Sequence, residues 1–196
     1  MKIRKDSTRS RQSAPLWLLT ALLLLSPPVH TQEREASTVW DVVGFETDVF
    51  PILSEGYHIS VWYGFTHIRL RPIVAKDRVP QFAVQDGFKD NIVKSYALMA
   101  DFFIEPDFRG FWIGAGLQYW DATVSLDGAP GSADYTNIIL SINGGYLLRI
   151  WDNLYISPAV GVHIRLAGAT EVDVEGNVFT PGMVVPDFFI GLGWHF

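Results

Sequence analysis

The sequence predicts an all-β fold, an antiparallel up-and-down β-barrel that crosses a membrane. Three observations carry the prediction. Apolar residues recur at every second position for more than ten residues at a stretch. The connections between these stretches alternate between tight turns and long polar loops. A positively charged, then apolar, leader comes first, and no later stretch has the ~20 apolar residues of a membrane helix.

The 196 residues are 48% hydrophobic and 18% charged, the reverse of a disordered composition. Cysteine is absent, which excludes disulfides, thiolate metal sites and thiol nucleophiles. Beyond residue 32 the chain carries 10 Lys and Arg against 20 Asp and Glu. Nucleic-acid binding needs a basic surface and is not expected.

The leader holds Lys2, Arg4, Lys5, Arg9 and Arg11, then the apolar run from Leu16 to Leu25, then Ser26-Pro27-Pro28. This is the order of a secretory signal peptide, expected over 1–32 with a cut near Thr31 or Gln32. Segment 33–55 is expected to be periplasmic, an interfacial helix or a first strand. Val42, Phe45, Val49 and Ile52 fit a helical stripe, and Val43, Phe45, Thr47 and Val49 fit a strand. The barrel is expected over 56–196.

Within it, Ile138, Leu140, Ile142, Tyr146 and Leu148 alternate with Asn137, Ser141, Asn143 and Gly145. Leu154, Ile156, Pro158, Val160, Val162, Ile164 and Leu166 alternate with Tyr155, Ser157, Ala159, Gly161, His163 and Arg165. Phe188, Ile190, Leu192, Trp194 and Phe196 alternate with Asp187, Gly191, Gly193 and His195. Strands place successive side chains on opposite faces, so each run is a strand. Tyr57 to Phe65, Tyr96 to Phe102 and Ile113 to Tyr119 read the same way. After Tyr119 the apolar set moves to Ala122, Val124 and Leu126, which predicts a bulge near Tyr119-Trp120. Pro158 lacks an N–H and predicts a bulge or a strand end. Stretches 72–90, 127–134 and 168–183 read as long loops; Gly128 to Gly131 is a turn, and Val172, Val174 and Val178 predict an external hairpin.

Alternation does not say which face meets lipid. The strands are longer than the usual 5–6 residues of soluble sheets. The polar face is rich in glycine, as a crowded lumen requires. Aromatics such as Tyr63, Phe102, Phe111, Tyr119, Trp151 and Trp194 gather at strand ends, where a bilayer has its interfaces. The apolar face is therefore expected outside. The lumen is expected to hold a polar network of Asp101, Gln118, Asn143, His163, Arg165 and Asp187.

The C-terminal strand, with Phe188, Ile190, Leu192 and Trp194 before a terminal Phe196, resembles that of bacterial outer-membrane β-barrel proteins. The resemblance implies that these five residues are the signal read by the barrel assembly machinery, and that this strand pairs with the first. It implies a Gram-negative cell-envelope location, contact with outer-membrane lipid and lipopolysaccharide, and a monomer. The length is similar to that of the eight-stranded, porin-like members; six strands are firm in the sequence, and two more are sought in 36–55, 73–90 or 170–185. A structural or surface-interaction role with a side-chain-filled lumen is expected. The alternatives are a lipid-modifying enzyme of deacylase or acyltransferase type, or a narrow pore. For catalysis the candidates are His163 with Ser157 or Asp101, which match no motif. Glu171, Asp173 and Glu175 match no calcium loop. No metal and no cofactor is expected. Arg69 and Arg71 read as a charged strand end or as partners for lipopolysaccharide phosphates.

Overall fold

The computed structural model describes residues 41–196. The expected signal peptide therefore lies outside the described residues. Eight strands form one closed antiparallel barrel: β1 (Val42–Asp48), β2 (Tyr57–Phe65), β3 (Ile68–Arg78), β4 (Phe88–Phe103), β5 (Gly110–Leu126), β6 (Ser132–Arg149), β7 (Leu154–Gly168) and, after a separate hairpin of β8 (Val172–Val174) and β9 (Asn177–Phe179), β10 (Val184–His195). Neighbours in sequence are neighbours in the ring, so the topology is up-and-down. Closure is made by β1 and β10, from Gly44 opposite His195 to Asp48 opposite Gly191. The N–H of Phe196 donates to the carbonyl of Val43, which extends the seam.

Segment 33–55 supplies both a strand and a short helix, α1 (Val49–Leu53). Asp48 caps that helix by accepting from the N–H of Phe50 at 3.1 Å. The remaining strand, β3, runs through residues expected to open a loop, and the loop is only 79–87. Pro72 and the two arginines masked β3, because its outward face, Ile68, Leu70, Pro72 and Val74, is interrupted by an imino acid. The hairpin anticipated from Val172, Val174 and Val178 is β8–β9.

The barrel has two unlike ends. Tight connections at 66–67, 104–109 and 150–153 share one end, with residues 41 and 196. Helix α1 and loops 79–87, 127–131 and 169–183 share the other, which we call the loop end.

The expected bulge at Tyr119-Trp120 does not exist. Strand β5 keeps one unbroken register with β4 from Thr123 to Trp112 and with β6 along its whole length. Even-numbered residues of β5 face inward throughout, and the chemistry inverts instead of the backbone. Toward the turn end, Phe111, Ile113, Leu117 and Tyr119 face out and Gly114, Gly116 and Gln118 face in. Toward the loop end, Asp121, Thr123 and Ser125 face out and Ala122, Val124 and Leu126 are buried inside. The register shifts lie elsewhere: on β4 between Lys89 and Ile92, where Asp90 takes a positive φ of 49°, and on β7, where Arg165 and Ala167 face the consecutive Ile139 and Ile138. Pro158 marks neither a bulge nor an end. It lies mid-strand, opposite Ile190 of β10 in unbroken register, and its missing N–H shows only as a local lapse of the β6–β7 ladder between Gly145–Ala159 and Leu148–Ile156, after which the register resumes unchanged.

The outward face is an apolar belt. Leu98 is 61% exposed, Ile113 69%, Val160 60% and Phe188 63%, too much apolar area for a water-facing surface. Along β5 the belt runs from Phe111 to Tyr119; at about 3.3 Å per residue and a tilt of about 40° this is roughly 20 Å of height. Above the belt, Val93, Trp120, Val124, Leu126, Tyr135 and Ile139 pack with Val84 and Phe88, and Val172, Val174 and Phe179 of the hairpin seal the cluster. Gln85 holds loop and hairpin together, donating to the carbonyl of Val178 at 3.1 Å and accepting from the N–H of Thr180 at 2.8 Å.

The inversion predicts opposite sensitivities on one strand. Val124→Asp buries a charge and should destabilise the protein by at least about 3 kcal/mol, whereas Ser125→Asp should change stability by about 0.5 kcal/mol or less. Urea unfolding of the refolded protein followed by tryptophan fluorescence measures both. Equal effects would contradict the inversion.

Candidate functional site

The inward faces build two polar layers. The deeper one is a quartet of charges from three strands. Arg69 and Asp101 are directly opposite on β3 and β4. Glu46 reaches them from β1 across β2, which places only Ser60 at the row beside Glu46. Asp101 accepts from Nε of Arg69 at 2.9 Å, and from Nε and Nη2 of Arg71 at 2.6 and 3.1 Å. Glu46 accepts from Nη1 of Arg69 at 3.1 Å and from Nη1 of Arg71 at 2.8 Å. All four side chains are 0–2% exposed. Two cations meet two anions, so the buried group is neutral as a unit, and each charge is hydrogen-bonded.

Aromatic rings enclose the arginines. The guanidinium of Arg69 lies 5.0–5.6 Å from the ring centres of Trp62, Phe103 and Trp112, and that of Arg71 lies over Trp112 and Phe189. Nη2 of Arg69 has no hydrogen-bond partner and is satisfied by these ring faces. Trp62 donates to the hydroxyl of Tyr155 at 2.8 Å and Trp112 to Ser157 at 3.1 Å. The lumen glycines make this filling possible. A Cβ at Gly114 would lie 2.2 Å from Asp101, and one at Gly193 would lie 2.2 Å from Tyr155.

The second layer lies nearer the loop end. A cavity of about 150 Å³ is bordered by Asp48, His58, Asp77, Asn143, His163 and Asp187, with Arg71, Met99 and Phe189 on its walls. A hydrogen-bonded chain runs beside it. Trp120 donates to Gln118 at 2.8 Å, Gln118 donates to Ser141 at 2.6 Å, and Ser141 shares a proton with Nδ1 of His163 at 2.8 Å. Nε2 of His163 lies 3.5 Å from Asp187.

The six residues expected in a lumen network thus all face inward but are not one network. Gln118, His163 and Asp187 belong to the upper chain. Asp101 belongs to the quartet and does not meet Arg165, which instead donates to the carbonyl of Ala169. Asn143 lines the cavity. The catalytic candidates are also apart: Ser157 is bound by Trp112 and Asp101 by two arginines, and neither hydrogen-bonds to His163. The serine that meets His163 is Ser141, itself only 1% exposed. Arg69 and Arg71 are neither a charged strand end nor partners for lipopolysaccharide. They are buried in the lumen, because period two places them opposite Leu70. Glu46 was missed with them; its signal was alternation with Phe45 and Thr47, hidden in the helix-or-strand ambiguity of that segment. Phe188, Ile190, Leu192 and Trp194 face outward, and Phe196 is 73% exposed at the seam. Among the described residues no cluster of His, Asp and Glu has the geometry of a metal site.

No family model matches the chain, and no curated protein matches it in sequence. Among solved structures, a crystal structure of Neisserial surface protein A is similar at 14% identity, with a TM-score of 0.48, covering 81% of this chain and 96% of that one. The assignment of a closed eight-stranded barrel rests on the ladders themselves.

Opening the quartet should be costly and non-additive. Asp101→Ala leaves two buried guanidinium groups short of a partner and should cost about 3–5 kcal/mol in denaturant unfolding. Combining it with Arg69→Ala should cost less than the sum of the two single changes. A strictly additive double-mutant cycle would show that the four groups do not act as one.

Proposed function

We propose that the protein is an integral outer-membrane β-barrel with a structural or surface-interaction role and a lumen filled by side chains. The observation that carries this reading is the pairing of an exposed apolar belt with a buried polar interior. A soluble barrel has the opposite arrangement. Hydrocarbon offers no hydrogen-bond partner, so a sheet persists there only when closed, and this ring has no free edge. The belt height of roughly 20 Å is close to the ~25 Å apolar band of membrane barrels. The short turns at one end and long loops at the other support an orientation with the turns periplasmic.

The quartet and its rings support a closed lumen in place of a pore. The hairpin and loop 79–87, packed on the apolar cluster, support a firm external surface on which contacts with other molecules are made. Lipid of the surrounding leaflet is the first such partner.

The deciding experiment is carbonate-washed membrane fractionation, together with gel migration of unboiled and boiled protein. Retention in the membrane and faster unboiled migration are expected; release by carbonate would overturn the reading. A matched variant locates the membrane. Leu117 sits in a mid-belt row with Pro72, Leu98 and Leu140, so Leu117→Arg should destabilise the vesicle-inserted barrel by about 2–4 kcal/mol. Planar-bilayer recording should give no discrete conductance steps, and steps would favour the narrow pore.

A further inference from the structure

The strand registers align the outward residues into rows around the wall. One row reads Tyr57, Lys76, Lys94, Asp121 and Thr136 on β2 to β6. The row below it, deeper in the belt, reads Ile59, Val74, Tyr96, Tyr119 and Ile138. The apolar belt therefore ends on these strands at a tyrosine girdle, and two lysines stand directly above it. Lys76 and Lys94 are opposite each other, so their Cβ atoms are about 5 Å apart, and like charges in that position repel.

Asp121, directly opposite Lys94, offsets part of that repulsion, and Lys76, between Tyr57 and Lys94, has no acidic residue directly opposite it. Among the described residues neither lysine has a carboxylate oxygen within 4.0 Å, so Asp121 faces Lys94 without a close ion pair. The other cations of this end are engaged: Arg78 with Asp90 at 2.7 Å and Lys89 with Asp127 at 3.6 Å. The described residues carry 9 Lys and Arg against 18 Asp and Glu, so two lysines facing each other stand against an acidic background.

The geometry points to a binding site for a phosphate-bearing lipid headgroup, held between Lys76 and Lys94 with its acyl chains against the belt below Tyr96 and Tyr119. This inference rests on the membrane reading and adds a lipid partner to it. Two ammonium groups match the charge of about −1.5 to −2 on a phosphate monoester. Their level, just beyond the tyrosines, is where headgroups begin. Arg69 and Arg71, the pair that the sequence alone offered to lipopolysaccharide, are inside the barrel, and these lysines are the pair outside it.

The test uses the full mature chain in phosphatidylcholine vesicles, with and without diphosphoryl lipid A. Wild type, Lys76→Gln, Lys94→Gln, the double variant and a Lys89→Gln control are compared. Two readouts are taken: lipid A bound per barrel, and the temperature at which the compact unboiled band is lost. In phosphatidylcholine alone Lys76→Gln should melt higher than wild type, because the Lys76–Lys94 repulsion is relieved while Lys94 still faces Asp121. With lipid A the order should reverse. Binding should weaken about fivefold per lysine, about 25-fold for both. Lys89→Gln should follow wild type throughout. The same order of melting in both vesicle types, or undiminished lipid A binding by the double variant, overturns the site while leaving the membrane reading intact. Millimolar inorganic phosphate restoring wild-type stability in phosphatidylcholine as well as lipid A does would assign the lysines to free phosphate and overturn the lipid. Failure of the wild type to float with vesicles overturns the membrane reading and the site together.

Discussion

Closure of the sheet is the constraint from which the rest follows. Strand β1 is only seven residues long, and its pairing with β10 turns an open meander into a ring. Once the ring exists, every strand has two neighbours and every side chain is assigned by parity to lumen or wall. An open sheet of this sequence would expose the unpaired edges of β1 and β10, and apolar edges invite pairing with other chains. The seam lies where the chain's described start and its last strand meet, at Gly44 and His195. The barrel is therefore complete only when the last strand is in place.

A closed ring of eight strands leaves a lumen narrow enough to be filled by side chains. This chain fills it with charge instead of hydrocarbon at its centre. Neutralising two arginines with two carboxylates offsets much of the desolvation cost, and the ring faces of Trp62, Phe103 and Trp112 take up the remainder of Arg69. The arrangement also fixes register. A slip of β3 by one residue would bring Leu70 into the quartet and drive Arg69 and Arg71 into the belt. An all-aliphatic filling would tolerate such a slip far better.

What the sequence made legible was the period, and what it hid was the environment. Strands β7 and β10 read directly because their outward residues are apolar along almost their whole length, and β6 reads directly from Ile138 to Leu148, beyond the outward Ser132, Asp134 and Thr136. Strand β5 misled because its two halves face different media: Leu117 and Tyr119 outward in the belt, Val124 and Leu126 inward above it. A change of solvent and a change of register leave the same trace in a hydropathy pattern, and only cross-strand pairing separates them. Strand β3 was lost to Pro72 and to two arginines that look like surface residues in isolation. Their burial depends on Glu46 and Asp101, separated from them by tens of residues, so no local reading finds it. Gln118, His163 and Asp187 were legible as inward-facing polar residues, but their partner Ser141 was assigned by the fold.

The inversion along β5 bears on how such a barrel meets its surroundings. Below the tyrosine girdle the wall has an apolar outside and a polar interior, which in the proposed reading is a membrane structure stabilised by backbone closure. Above it the same strands are a soluble structure, with an apolar core of Trp120, Val124, Tyr135 and Phe179 and a polar outside. The two regimes need different things of the same residues, and the row of Lys76, Lys94 and Asp121 is where one gives way to the other. In water the apolar cluster can be sealed only by further apolar groups, which is why loops 79–87 and 169–183 fold inward and are tied by Gln85. Rigid loops hold a fixed external surface at little entropic cost on contact with a partner. The stability of the loop-end half thus rests on hydrophobic burial, and that of the half bearing the apolar belt on pairing of charges and backbone.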